Sequence, residues 1–153
     1  MKPNDDADRW ETLAVQLEIS RLLAEFWHDV DNNWGASAHQ YFTTDAVFTT
    51  SIGRTRQGLE AIREFYDSRQ ARGPRVARHL VSNLRVERRS TDEAIAHWIL
   101  VLYANDGEPV LPSEPPIMVA DVVDECRRQP DGSWKFASRT ITALFKGERP
   151  TTG

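Results

Sequence analysis

The residues best suited to chemistry lie mid-chain, in Arg78-His79-Leu80-Val81-Ser82-Asn83-Leu84-Arg85-Val86. The stretch reads as a strand, with His79, Val81 and Asn83 on one face and Leu80, Leu84 and Val86 on the other. A His and an Asn sharing a face with a Val need partners or a polar cavity, because burying them unpaired is costly. An imidazole offered to a cavity titrates near neutrality and suits general base or acid work. Hydrogen bonding within the sheet is the plainer alternative. Asn83 has the amide to bond a substrate carbonyl, and Tyr41 and Tyr66 carry hydroxyls that suit an oxyanion.

The elements that must position these groups follow from periodicity. Residues 1–8 read as a loose tail. A helix is predicted over 10–30, with Ile19, Leu22, Leu23, Phe26, Trp27 and Val30 three and four apart. It ends in Asp29-Val30-Asp31-Asn32-Asn33, and a short second helix is expected over 34–41. A strand follows at 46–52, with a small return at 54–57. Gly58 opens a third helix over 59–72, stopped by Gly73-Pro74. The period then switches to two, giving strands over 77–88, 93–103, 116–126 and 134–145. Ser90-Thr91-Asp92 and Pro130-Asp131-Gly132 make two connections hairpins, and 105–115 is a longer loop. Helices followed by antiparallel strands give an α+β domain whose sheet curls around three N-terminal helices. The domain is expected at 10–146, between tails at 1–9 and 147–153. Both faces of strand 93–103 are apolar, so one must meet a cavity or another subunit, and a homodimer or small homo-oligomer is expected.

Composition narrows the function classes. The chain has 153 residues, 40% hydrophobic and 27% charged, with a formal charge of −4. That balance suits a single globular domain and gives no support to nucleic-acid binding; Arg85, Arg88, Arg89 and Arg127-Arg128 suit solvated strand ends. One cysteine, Cys126, excludes an internal disulfide and offers no metal-site spacing. No stretch reads as a signal peptide or membrane span, so a cytoplasmic protein without membrane partners is expected. Neither a glycine-rich phosphate loop nor a Ser-His-Asp order appears, which leaves a site without cofactor or metal. The aromatics Trp27, Trp34, Phe48, Phe65, Tyr66, Trp98 and Tyr103 are core candidates, a subset of which must line any pocket, suiting a small hydrophobic ligand. His28 suits a solvent-facing position, His39 packing, and His97 either the pocket or a subunit face.

Four segments carry a resemblance: the helix ending in Asp31 with Trp34 after it; Tyr41-Phe42-Thr43-Thr44-Asp45-Ala46-Val47-Phe48; Gly58-Leu59-Glu60-Ala61-Ile62; and the Arg78-His79 strand. The closing Asp131-Gly132-Ser133-Trp134-Lys135-Phe136 fits as well. Over residues 10–146 the chain resembles the nuclear transport factor 2-like, or SnoaL-like, superfamily. The resemblance implies a cone-shaped, mostly antiparallel sheet enclosing a pocket. Within it the chain looks most like the branch of scytalone dehydratase and hexachlorocyclohexane dehydrochlorinase, where an aspartate ending the first helix pairs with a histidine on the first long strand. Here these are Asp31 and His79. On a helical wheel Asp29 and Asp31 both flank the apolar stripe at roughly 100° from its centre; the family pattern and the step of four from Trp27 favour Asp31. The implied activity is a cofactor-independent lyase or isomerase, dehydratase- or polyketide-cyclase-like, on a small hydrophobic cyclic substrate. His79 would be its base and Asp31 its orienting partner. Scytalone dehydratase has a second pocket histidine near the end of the next strand, where this chain reads Leu102-Tyr103-Ala104. The Arg78–Val86 strand also resembles the small subunits of ring-hydroxylating dioxygenases, which implies a non-catalytic binding or assembly module instead.

Overall fold

The computed structural model describes residues 3–151. Apolar residues three and four apart build the first helix, α1 (Pro3–Asn32), whose inner side buries Val15, Ile19, Leu22, Phe26 and Val30. It starts earlier than periodicity predicts: residues 3–8, expected as tail, are helical, and Arg88 reaches across to Asp8 and Glu11. The outermost tail positions, Met1, Lys2, Thr152 and Gly153, lie outside the described residues. After α1 the chain makes turns and a single 3-10 turn (Ala38–Tyr41) where a short helix is expected. Trp34 and Gly35 both take positive φ, 59° and 73°, to reverse the chain. A Cβ on Gly35 would stand 2.7 Å from Tyr66 Cδ1, so that crossing needs glycine.

The remaining elements are β1 (Phe42–Thr49), β2 (Thr55–Gln57), α2 (Leu59–Gln70), β3 (Arg75–Arg88), β4 (Glu93–Asp106), β5 (Met118–Arg128) and β6 (Trp134–Lys146). They form one six-stranded sheet in the order β2-β1-β6-β5-β4-β3. Among the described residues only β1 and β6 pair in parallel, and β2 and β3 are edges, so the barrel is open. The architecture is α+β, a mixed sheet curled around the helices in a cone-like manner. Phe26 sits at its centre, edge-on to Tyr41, Phe42, Tyr66 and Phe136 with ring centroids 5.4–5.9 Å away.

Two local features override the simple alternation. In β3 the register with β4 slips between Ser82 and Arg85, and Asn83 adopts φ 54°. Such a bulge inverts the facing of everything beyond it. Val81, Leu84 and Val86 therefore all pack on the core, while Leu80 is exposed; the grouping of Leu80 with Leu84 and Val86 is corrected. In β6 a second slip, opposite Glu125 and Cys126, turns Arg139 inward, where it is wholly buried. On β4, Ala94, Ala96, Trp98, Leu100 and Leu102 are buried, and Ile95, His97, Ile99 and Val101 face outward, half-covered. No helix among the described residues is long and apolar enough to cross a membrane.

Candidate active site

α1 carries Asp31 at its last turn, beside β3. The Asp31 carboxylate accepts twice from His79: Oδ2 from the backbone N–H at 2.9 Å and Oδ1 from ring Nδ1 at 2.6 Å. An ionised carboxylate can only accept, so Nδ1 bears the proton and Nε2 keeps its lone pair. Both side chains are almost entirely buried. Trp27, one helical turn before Asp31, lies flat on the imidazole, with centroids 4.1 Å apart and planes 8° from parallel. Burial pushes the His79 pKa down from its ordinary 6.5; the hydrogen bond and charge of Asp31 oppose that, while Arg69 and Arg139 add to it. The site thus holds a neutral, oriented imidazole.

Asp29, the other carboxylate at this helix end, has a different task. Its side chain accepts from Asn33 Nδ2 at 2.7 Å and the Ser37 backbone N–H at 3.0 Å, and its carbonyl accepts from Asn33 and Gly35. It caps the turn that follows α1.

Two adjoining cavities meet at this point. The inner one, about 40 Å³, is lined by His79, Trp27, Phe48, Thr50, Phe65 and Tyr66 among others. The outer one, about 530 Å³, has Asp31, Trp34, Arg69, Arg72, Arg75 and Arg78 in its wall, with Asp106 and Glu108. Arg69 and Thr151 border both. The outer volume is in the range of small-molecule sites, whereas the inner one accommodates a single group. Burial pushes the Tyr66 phenol up to about 12, so it stays protonated, a donor rather than a base. Burial likewise depresses Arg69, a cation sunk at the junction of the cavities.

The eight residues expected around a ligand separate into three sets. Trp27, Phe48, Phe65 and Tyr66 border the inner cavity with His79, and Trp34 borders the outer one. Asn83 does not belong: the bulge turns it to the surface, where its Oδ1 accepts from Ser82 Oγ at 3.1 Å. Tyr41 packs edge-on to Phe26 and lies outside both linings. Trp98 is beneath the site; its Nε1 donates to Asp124 Oδ2 at 2.8 Å, and its ring meets Trp27 edge-on. The wall is also less apolar than expected, since the outer cavity is rich in arginine.

Sequence reasoning missed Arg69, Thr50 and the Arg139–Asp124 pair. Arg69 was findable, because it lies three and four residues after Tyr66 and Phe65 on one face of α2. Thr50 is buried at the end of β1, and its hydroxyl meets no partner among the described residues. Arg139 had no signal, since the slip in β6 reverses its parity. Its guanidinium donates to both Asp124 oxygens, at 2.6 and 2.9 Å, and lies 4.1 Å over Phe136 and 5.2 Å over Trp27. His28 is exposed and His39 half-buried, and among the described residues no three His, Cys, Asp or Glu side chains gather as a metal site requires.

The fold has counterparts of known structure. A candidate scytalone dehydratase from Novosphingobium aromaticivorans superposes with a TM-score of 0.79 at 18% identity, covering 92% of this chain and 91% of its own. ActVI-ORFA from Streptomyces coelicolor gives 0.73 at 16% identity, over 86% of this chain and 98% of its own. A candidate aromatic ring hydroxylase, also from N. aromaticivorans, gives 0.68 at 23%, over 85% and 89%. At such identities the likeness is one of fold. No curated protein matches the sequence significantly. The profile of the SnoaL-like domain matches residues 11–140, from α1 into β6. The chain belongs to the SnoaL-like domain family.

Proposed function

We propose that the protein is a cofactor-independent lyase or isomerase in which His79 is the general base and Asp31 orients it. The observation that carries this reading is the imidazole held through Nδ1 by Asp31 at 2.6 Å and lining a cavity. Nε2 takes a proton from a substrate carbon, and the C–H electrons become a double bond. In an elimination a group on the neighbouring carbon leaves with its bonding pair; in an isomerisation the proton returns to another carbon. Acid–base chemistry alone balances either course. Tyr66, kept protonated by burial, is the donor available to a leaving oxygen. The substrate is a small cyclic molecule, its reacting edge among Trp27, Phe48 and Phe65 and its polar end towards Arg69.

The test is a screen of hydroxylated and halogenated cyclic substrates for elimination or double-bond migration, followed by His79→Ala on whichever is turned over. The variant should lose about 10²–10⁴-fold in rate, with far-ultraviolet dichroism used to confirm that it remains folded despite the loss of the partner of Asp31. Full turnover by His79→Ala would overturn His79 as the base, and a wild type that binds such molecules without converting any of them would favour a binding or assembly role.

A further inference from the structure

The outward side of α1 has a second apolar stripe that the core does not use. Trp10, Leu13 and Leu17 are 70%, 47% and 73% exposed, opposite the side that buries Val15, Ile19 and Phe26. At 3.6 residues per turn the three fall within about 60° of one another. Asp6 and Arg21 close the stripe at its two ends, and Arg9 and Glu18 flank it, all four exposed. We propose that this stripe docks a second copy of the chain, α1 against α1, antiparallel about a two-fold axis between Leu13 and Ala14.

The charges select that arrangement. About such an axis Trp10 of one copy meets Leu17 of the other, Asp6 meets Arg21, and Arg9 meets Glu18. Every apolar side chain finds an apolar partner and every charge its opposite. A parallel pairing would set Asp6 against Asp6 and Arg21 against Arg21. Isologous contacts of this kind are how most homodimers close. The surface is held ready in the free chain. Arg88 ties the start of the helix to β3 through Asp8 and Glu11, and Glu18 accepts from Trp134 Nε1 at 2.6 Å with one carboxylate oxygen. Arg21 pairs with Glu25 along the exposed surface, a contact that two copies would extend rather than break. From Asp6 to Arg21 the strip is about 24 Å long, smaller than a standard interface. A dimer on so small a surface is expected to be reversible.

Sedimentation velocity on the full chain across micromolar concentrations tests this independently of any reaction. The wild type should pass from monomer to dimer as concentration rises, and Leu17→Asp should stay monomeric throughout. Asp6→Arg and Arg21→Asp should each weaken association, and the Asp6→Arg/Arg21→Asp double variant should restore it, because the exchange pairs only across an antiparallel axis. All three positions are exposed, so far-ultraviolet dichroism should not move, and melting should shift only slightly, through loss of the Arg21–Glu25 pair in Arg21→Asp. A wild type that stays monomeric would overturn the proposal, as would a double variant no better than its parents. So would a dimer that survives Leu17→Asp but is lost in Val123→Asp, on the outer face of the sheet.

Discussion

Two buried carboxylate–nitrogen pairs, one neutral on the nitrogen side and one ionic, stand on either side of Trp27. Each joins a carboxylate to a nitrogen side chain at 2.6 Å, and each is largely or wholly buried. Above the indole, Asp31 holds His79 by one ring nitrogen, and the imidazole borders a cavity. Below it, Asp124 takes two donors from Arg139, both side chains are completely enclosed, and aromatic rings cover the guanidinium. A guanidinium stays charged at any physiological pH and an imidazole does not. On the proposed function, the same contact supports structure where the cation is permanent and enclosed, and chemistry where the nitrogen base titrates beside space.

The sharpest way to break this contrast is to remove one carboxylate at a time. Asp124→Ala strands a buried arginine that already has one nitrogen, Nη1, without a partner among the described residues. Such a loss costs about 3–5 kcal/mol, a large share of a domain's stability. The urea midpoint should drop steeply, or the variant should fail to accumulate folded. Asp31→Asn should leave the midpoint much nearer the wild-type value. An Asp124→Ala protein as stable as its parent would show that the lower pair is not the support described.

The upper pair should instead declare itself in turnover and in pH. In Asp31→Asn the amide oxygen would keep an acceptor for Nδ1 without the charge, and the amide N–H would also offer a donor that favours the wrong tautomer. Turnover should fall by about 10²-fold or more. For the wild type the sign follows from burial. The folded imidazole binds a proton less readily than the unfolded one, so stability is full above the ordinary value of 6.5 and declines as pH falls below it. The acid limb of kcat/KM should likewise lie below 6.5, and in Asp31→Asn it should move lower still, because the groups that raise the His79 pKa are lost. Proton NMR titration of the His79 ring checks both. A midpoint above 6.5 would mean that Asp31 outweighs burial.

How much of this was legible beforehand depended on whether a rule was local. Turn residues and the change of period located the four long strands to within about two or three residues, and the stripe on α1 located its inner side. The bond between Asp31 and His79 was not in the periodicity, which left Asp29 and Asp31 equivalent; a family resemblance separated them. Only the geometry assigns Asp29 to the turn, through Asn33 and Ser37. Bulges defeated the rest. Alternation has no means of announcing that a strand gains a residue, so Asn83 read as a site residue and nothing marked Arg139 as buried. Residues 3–8 lacked an apolar stripe and read as tail, yet Arg88, far along the chain, holds their helix in place.

Asn83 offers the smallest effect and the finest discrimination. A polar side chain four residues from His79 along the same strand invites a role in binding, but its backbone sits at φ 54°, where asparagine and glycine are tolerated and branched side chains are not. If the bulge is what Asn83 serves, Asn83→Gly should leave turnover intact and stability within about 0.5 kcal/mol, since glycine loses nothing at that φ but gains freedom when unfolded. Asn83→Val should cost about 1–3 kcal/mol by straining the left-handed conformation. It should also disturb the His79 ring resonances, because flattening the bulge presses β3 towards a register in which inward and outward side chains exchange. A binding role would give the opposite order: glycine would abolish turnover while folding stayed unaltered, and the bulge would then be incidental to the asparagine rather than the reason for it.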